Sequence, residues 1–472
     1  MVAAHLCQVP RQALEVGVRC EIIQSSVILC AHPPLSARSL SVLPRRMNRL
    51  AHHEWQGGSQ ADQNQWRASI KLDILSDIKV VELAHGLAGA FCAKLLADQG
   101  ASTIKVEPPA WGDPARREPP FIDGVPHPEG STLFLAFNTN KRGVTLDIEQ
   151  PAGLELVLRL VADADVLIES YSPGHLDSLG LGYPVLKETN PGVIVTSCTY
   201  FGQTGPYRDY QGGDLVAQAL GGFLHAVTGS ADMPPMGTAL EQMEITAARN
   251  GVIAIMAALF QRQQSGEGQH IDLSTMEAAI STPSALIHPY TFTGQSPKRG
   301  GSDGNVMDGM HIPTADGEVT LTTAGTGGRP MEAWAEFLEE PRLLDPKFAT
   351  RQSRMDNWEE LHSLVATPLA KWNNLDLMRE SMARGLVLGL VQSPQQVVDS
   401  PHLEERGFFV ELDHPDAGSL KYPGPGFFID GENPMEGGRP APSLGQHNSE
   451  IFGGELGLTS EELGLLRAAQ VV

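Results

Sequence analysis

The stretch IKVVELAHGLAGAFCAKLLADQGASTIKVE, residues 78–107, decides the fold. Its two ends, IKVVEL (78–83) and STIKVE (102–107), are short β-branched runs that read as strands. Between them AGAFCAKLLADQG (88–100) sets Phe91, Leu95 and Leu96 on one helical face and stops at Gly100. A strand, a helix and a second strand at this spacing make a βαβ unit. The pattern repeats downstream: GVTLDI (143–148), DVLIES (165–170) and GVIVTSC (192–198) are strands, with helices at 151–162 and 183–189. The alternation predicts the α/β class, a parallel sheet with helices on its faces. The first strand is not followed by the GxGxxG turn of a dinucleotide site.

A chain of 472 residues is too long for one ordinary core, so two or three domains are expected. The formal charge of -22 argues against nucleic-acid and anionic-membrane partners, which need a basic face to offset released counterions. The five cysteines (Cys7, Cys20, Cys30, Cys92 and Cys198) form no CxxC pair and no zinc spacing, so neither a disulfide framework nor a metal site is indicated. A reducing cytoplasm is the expected location. The best membrane candidate, IIQSSVILC (22–30), falls well short of the ~20 apolar residues of a span.

Residues 1–50 carry six Arg, no Lys and, as acids, Glu15 and Glu21, against an acidic remainder. Such composition suits a transit peptide, or sequence upstream of a start at Met47; in both cases residues 1–70 are expected to lack a fixed fold. A long apolar helix ends near Gln261, where SGEGQ (265–269) breaks the pattern and HIDLS opens another element. From about 285 to 425 the texture loosens into Gly-rich turns (KRGGSDGNVMDG, GTGGRP), a hairpin-like PTADGEVTLTT (313–323) and amphipathic helices such as WEELHSLVATPLAKW (358–372). The tail SEELGLLRAAQVV (460–472) reads as a closing helix capped by Ser460.

Taken together, LAGAFCAKLLADQGASTIKVEPPAWGDPAR, FNTNKRGVTLDI, ADVLIESYSPGHLDSLGLGY, NPGVIVTSCTYFGQTGPYRD, GGDLVAQALGG and SGEGQHIDLSTMEAA follow one order. That order resembles the class III CoA-transferases (the CaiB/BaiF family), a group that includes formyl-CoA transferase, carnitine CoA-transferase and α-methylacyl-CoA racemases. The similarity runs over roughly residues 75–472. It implies a Rossmann-like large domain (71–284), a smaller α+β domain (285–425), a C-terminal segment (426–472) returning to the large domain, and an interlocked homodimer. The substrates implied are an acyl-CoA and a small carboxylic acid, with coenzyme A as substrate and no permanently bound cofactor.

By resemblance, the CoA site is lined by Leu87 and Ala88 after the first strand, by Leu146, Asp147 and Ile148, by Ser170, Tyr171 and Ser172, and by Gly213 beside Asp214. Lys105, Arg116, Lys141 and Arg142 are the nearest basic residues that could balance phosphate charge; Lys141 and Arg142 could equally brace the dimer. Pro108 and Ser178 stand where the family often has basic residues. His85, just after the first strand, is placed to face the ligand crevice, either positioning substrate with Asp214 or serving as a hydrogen-bonded strand-end histidine. The loop YFGQTGPY (200–207) is assigned mainly structural work, and residues 296–312 border the site.

The family nucleophile is an aspartate opening the long helix. Counting back from SGEGQ places Glu244 there, with Glu241 three residues earlier as the alternative. A carboxylate at a helix start is chemically apt, because free N–H groups and the helix dipole favour its ionised form. The leading expectation is a CoA-transferase with Glu244 as covalent carrier. The alternatives are an acyl-CoA racemase, whose histidine position is occupied by Gly213, and a catalytically silent partner subunit of a heteromeric transferase.

Overall fold

Each β-branched run of the first half becomes a strand of one sheet. The structure, a computed structural model, describes residues 74–226, 234–281, 284–296, 310–321 and 331–472. Residues 1–70, most of the Gly-rich stretch 296–312 and the GTGGRP turn, all expected features of the sequence, lie outside the described residues. Strands β1 (Lys79–Glu82), β2 (Ser102–Glu107), β3 (Arg142–Thr145), β4 (Val166–Glu169), β5 (Ile194–Thr199) and β6 (His270–Ser274) align in the order β3-β2-β1-β4-β5-β6, and every pairing is parallel. The chain winds outward from β1 through β2 to β3, then returns to β1's other side at β4. Loops leaving β1 and β4 therefore diverge, which opens a crevice at the carboxyl ends of the two central strands.

Side chains alternate between the two faces of this sheet. Val80, Val166, Ile168 and Ile194 pack on one side against α1 (Leu87–Ala97) and α5 (Gln242–Ser265). Val81, Leu167 and Val195 face the other side, against α2 (Pro151–Ala162) and α3 (Tyr183–Thr189). Burial on both faces is why these strands read as nearly continuous apolar runs. Between α3 and α5 lies the shorter α4 (Asp214–Leu220). Helices α1 and α5 approach closely because Ala247, Ala248 and Gly251 are small; a Cβ at Gly251 would lie 3.0 Å from Cys92 Sγ.

Helix α5 meets the length and composition of a membrane span, which the composition reading did not anticipate. One of its faces belongs to the core with α1, and its opposite face exposes Ile253, Met256 and Phe260.

The C-terminal segment closes the outer edge of β3. Gly143 N–H donates to His447 Nδ1 (3.0 Å), Thr145 N–H to Asn448 Oδ1 (2.8 Å) and Asp147 N–H to the Val471 carbonyl (2.8 Å). Ile451, Phe452, Leu463 and Val471 complete the core on that face. The open strand edge is thus covered rather than left as a pairing template. The closing helix α7 (Ser460–Ala468) is capped one residue earlier than expected, by Thr459, whose hydroxyl accepts from Glu462 N–H.

A separate core surrounds the antiparallel sheet β7 (Met310–Pro313), β8 (Glu318–Leu321) and β9 (Leu388–Leu390), with Trp334, Phe348 and the apolar face of α6 (Trp358–Leu369). The hairpin of β10 (Phe409–His414) and β11 (Gly418–Pro423) follows, and its Leu420 reaches back to pack near Phe134 and Ala441.

Ions tie the first loops together from inside. Lys105, 0% exposed, donates to Glu82 Oε1 (2.8 Å), Asp113 Oδ2 (2.7 Å) and the Ala84 carbonyl (3.1 Å). Lys141 pairs with the other Glu82 oxygen (2.7 Å) and donates to Asn138 Oδ1 (2.7 Å) and the Ala90 carbonyl (2.8 Å). Burial alone would lower the Lys105 pKa, but Asp113, Glu82 and Glu107 together hold it above its ordinary value. Removing its charge leaves two buried carboxylates short of a partner. Lys105→Met is expected to lower the free energy of unfolding by about 3–5 kcal/mol, read as a lower urea midpoint at unchanged slope.

Candidate active site

Helix α5 starts under strain and is capped from another helix. Leu240 (φ 66°) and Glu241 (φ 37°) both lie in the left-handed region, a costly conformation for side-chain-bearing residues. Glu241 makes no side-chain cap at its own helix and is exposed. Asp214, the first residue of α4, supplies the cap instead: its Oδ1 accepts from Met243 N–H (2.7 Å) and Glu244 N–H (3.0 Å). Its Oδ2 accepts from the Gln218 amide (2.6 Å), whose own oxygen accepts from Thr238 N–H (2.9 Å). Two orphan N–H groups are thereby satisfied and the loop entering α5 is stapled to α4.

Glu244 faces inward from this start and is 8% exposed. Its Oε1 accepts from the Tyr200 phenol at 2.6 Å and its Oε2 from Ala88 N–H at 3.2 Å. Burial raises its pKa above the ordinary carboxylate value, against the lowering effect of those two hydrogen bonds; the charges of Asp214 and Glu241 add to the rise. The carboxylate is oriented, mostly dehydrated and still ionisable, as a nucleophile requires.

It opens into a cleft of about 210 Å³ at the carboxyl ends of β1, β4 and β5. His85, Ala88, Ser170, Tyr171, Ser172 and Glu244, all expected site residues, meet in its lining. Ser170 bridges the first two loops: its hydroxyl accepts from His85 N–H (2.8 Å) and donates to the His85 carbonyl (3.0 Å). His85 Nε2 lies 3.2 Å from the Tyr171 hydroxyl, and burial lowers the imidazole pKa, favouring the neutral ring. Glu169, below that loop, accepts from Tyr171 N–H (2.8 Å) and is pushed up to about 7 by burial.

Other expected contacts are elsewhere. Lys105 and Lys141 have their donors taken by the interior acceptors described above. Arg116 is likewise buried, forked on Glu107 (2.7 and 2.8 Å), paired with Glu129 (2.7 Å) and laid over the Phe134 ring. These three cations are buried in internal pairs and are not exposed to a phosphate. Arg142 binds Ser102, Glu450 and Glu455, tying the C-terminal segment to β3. Leu146 and Ile148 are core residues, and Asp147 accepts from Glu149 N–H and the Gln150 amide ahead of α2. Leu87 begins α1, Gly213 precedes α4, and neither lines the cleft; Asp214 acts on the α5 terminus.

Sequence reasoning missed Tyr200, in the loop assigned structural work, and Arg208 and Gly212 just beyond it, all of which line the cleft. The same argument that found His85, a loop following a central strand, applied to β5 and would have found Tyr200. Arg208 is the one Lys or Arg among the described residues of the lining. Glu129, His414 and Asp416 cluster within 4.8 Å, yet His414 Nδ1 accepts from Asp416 and Ala417 N–H groups while Glu129 serves Arg116 and Leu444. The Glu129 oxygens and the His414 Nδ1 lone pair are committed to the protein itself.

Comparison with known proteins shows the family of the chain. The chain is 36% identical over 403 residues to succinyl-CoA–D-citramalate CoA-transferase of Chloroflexus aurantiacus, covering 84% of this chain and 98% of that protein. It is 34% identical to succinate–glutarate CoA-transferase of Agrobacterium fabrum, over 80% of this chain and 94% of that one. A CaiB/BaiF family protein from Brucella suis superposes with a TM-score of 0.69 at 33% identity, covering 80% of this chain and 98% of its own. The sequence model of CoA-transferase family III matches residues 75–448, and with that span and these relatives the chain belongs to CoA-transferase family III.

Proposed function

We propose that this enzyme moves CoA between an acyl-CoA and a small carboxylic acid, with Glu244 as the covalent carrier. The observation that supports this most directly is a buried carboxylate, doubly hydrogen-bonded at a helix N-terminus, opening into the switch-point crevice. An oxygen of Glu244 attacks the thioester carbon; the C–S bond breaks and its electron pair leaves as CoA thiolate, forming a mixed anhydride. The thiolate then attacks the glutamyl carbonyl, the C–O bond breaks and the donor acid departs, leaving a glutamyl-CoA thioester. The acceptor carboxylate attacks that thioester, giving a second anhydride and thiolate again. Attack of the thiolate on the acceptor's carbonyl frees Glu244 and releases the new acyl-CoA. No net proton is consumed.

CoA is a substrate here and no resident cofactor takes part. The pantetheine arm lies along the loops after β1 and β4, where Ala88, Ser170 and Ser172 face the cleft. The two relatives above act, by their names, on succinyl-CoA, D-citramalate and glutarate, so short dicarboxylic acids are the donor and acceptor class assigned first. We further propose an interlocked homodimer in the cytoplasm. Residues 71–284 and 426–472 form its large domain and 285–425 its small one. Ile253, Met256 and Phe260, exposed along α5, provide the apolar face for the second copy.

Glu244→Ala should abolish exchange between succinyl-CoA and glutarate while leaving CoA binding measurable by calorimetry; a fully active variant would refute the site. Glu244→Asp retracts the carboxylate by roughly 1 Å and should lower kcat about 100-fold. Because burial raises the Glu244 pKa, the acid limb of kcat/KM should fall above the ordinary glutamate value, activity being lost as pH drops through it. Sedimentation equilibrium at micromolar protein should give a dimer, and a monomer would exclude the proposed assembly.

A further inference from the structure

The proposed exchange passes twice through attack on the glutamyl carbonyl carbon, and each attack places negative charge on a Glu244 oxygen. Oxygen Oε2 has one long contact, the Ala88 N–H at 3.2 Å, whereas Oε1 is held at 2.6 Å by the Tyr200 phenol. The loosely held oxygen is the one free to attack the acyl-CoA. Oε1 then becomes the carbonyl oxygen of the glutamyl half of the anhydride and, later, of the glutamyl-CoA thioester.

We propose that Tyr200 is a catalytic residue whose phenol O–H stabilises the oxyanion on Oε1 when the glutamyl carbonyl is attacked. This rests on the reading of Glu244 as covalent carrier. In the first attack, the thiolate sulfur bonds to the glutamyl carbon and the C=O electron pair moves onto Oε1. As the oxyanion collapses, that pair re-forms the C=O bond and the donor carboxylate leaves with the electrons of the broken C–O bond. In the second attack, an acceptor carboxylate oxygen adds to the same carbon and the thiolate leaves. The phenol proton stays on Tyr200 throughout, so Tyr200 is a donor and never an acid. A fixed donor aimed at the site of developing charge requires no reorganisation during reaction.

The ring is built in rather than incidental. The Tyr200 carbonyl accepts from Met276 N–H (3.0 Å), fixing the backbone at the end of β5. The ring lies against Gly212: a Cβ there would sit 2.3 Å from Tyr200 Cγ and 2.6 Å from Cδ2, so no side chain fits without displacing it. Burial, with the neighbouring Glu244 charge, raises the phenol pKa far above its ordinary value, which keeps the proton in place at neutral pH. Asp214 and Glu241 are the other charged groups acting on this pair.

Tyr200→Phe removes one oxygen and leaves the ring. Mixed with succinyl-CoA alone, quenched at intervals and digested, wild-type protein should accumulate the glutamyl-CoA adduct on the Glu244 peptide. The variant should form it roughly 10²–10³-fold more slowly, with unchanged CoA affinity and thermal melt. Loss of a hydrogen bond to the ionised carboxylate should also move the acid limb of kcat/KM to higher pH, a change that a packing role would not produce. Gly212→Ala, which shifts the ring but keeps the phenol, should reproduce the slowing, and the double variant should be no slower than Tyr200→Phe. A Tyr200→Phe variant with wild-type adduct kinetics and an unmoved acid limb would overturn the assignment while leaving Glu244 standing. Absence of any adduct in the wild type would overturn both.

Discussion

Glu82, a fully buried carboxylate at the end of β1, holds the site's foundation in place. Its two oxygens take one lysine each, and each lysine continues to a backbone carbonyl of the next turn: Lys105 to Ala84, Lys141 to Ala90. Those carbonyls bracket His85 and Ala88. In a low-dielectric interior such a network is costly unless every member is satisfied, and each ammonium here has three acceptors. Burial pushes Lys141 down to about 8 even so, beside the Glu82 charge that supports it. The start of α1, which offers the Ala88 N–H to Glu244, is therefore fixed from beneath by buried charges.

Glu244's side of the cleft is fixed by a different device. Two left-handed residues turn the chain into α5, and Asp214 offsets part of that strain by satisfying the first N–H groups of the helix. Gln218 extends the grip to Thr238. Residues 156 positions apart, Ala88 and Glu244, meet because both ends are held independently. Tyr200, leaving β5, closes the third side.

Residue type alone misassigned the cations. Lys105 lies within β2, Arg116 after it and Lys141 just before β3, positions where a phosphate-binding residue is chemically reasonable, and nothing in their spacing separates that duty from internal pairing. The separation depends on where Glu82, Glu107 and Asp113 point, and strand register decides that. His85 was legible because it follows a central strand, whose loop borders the crevice whatever its side chains; Ala88, Ser170, Tyr171, Ser172 and Glu244 were legible through the family resemblance, whose motifs put each after a strand or at a helix start. Tyr200 obeys the same rule but sits in a Gly- and Pro-rich loop whose composition suggests a turn and nothing more.

Besides the carboxylate opening α5, which the family resemblance located, the sequence by itself determined the α/β class, strands β1 to β5 of the parallel sheet, and helices α2 and α3 to the residue. These are local properties, set by hydrophobic period and chain reversals within a few residues. Tertiary structure decided which carboxylate turns inward, that Asp214 caps a helix not its own, that Tyr200 binds Oε1, and that the nearby lysines are structural. Each of these depends on hydrogen bonds between residues far apart in the chain, whose partners are chosen by packing across the sheet and leave no periodic trace in the sequence.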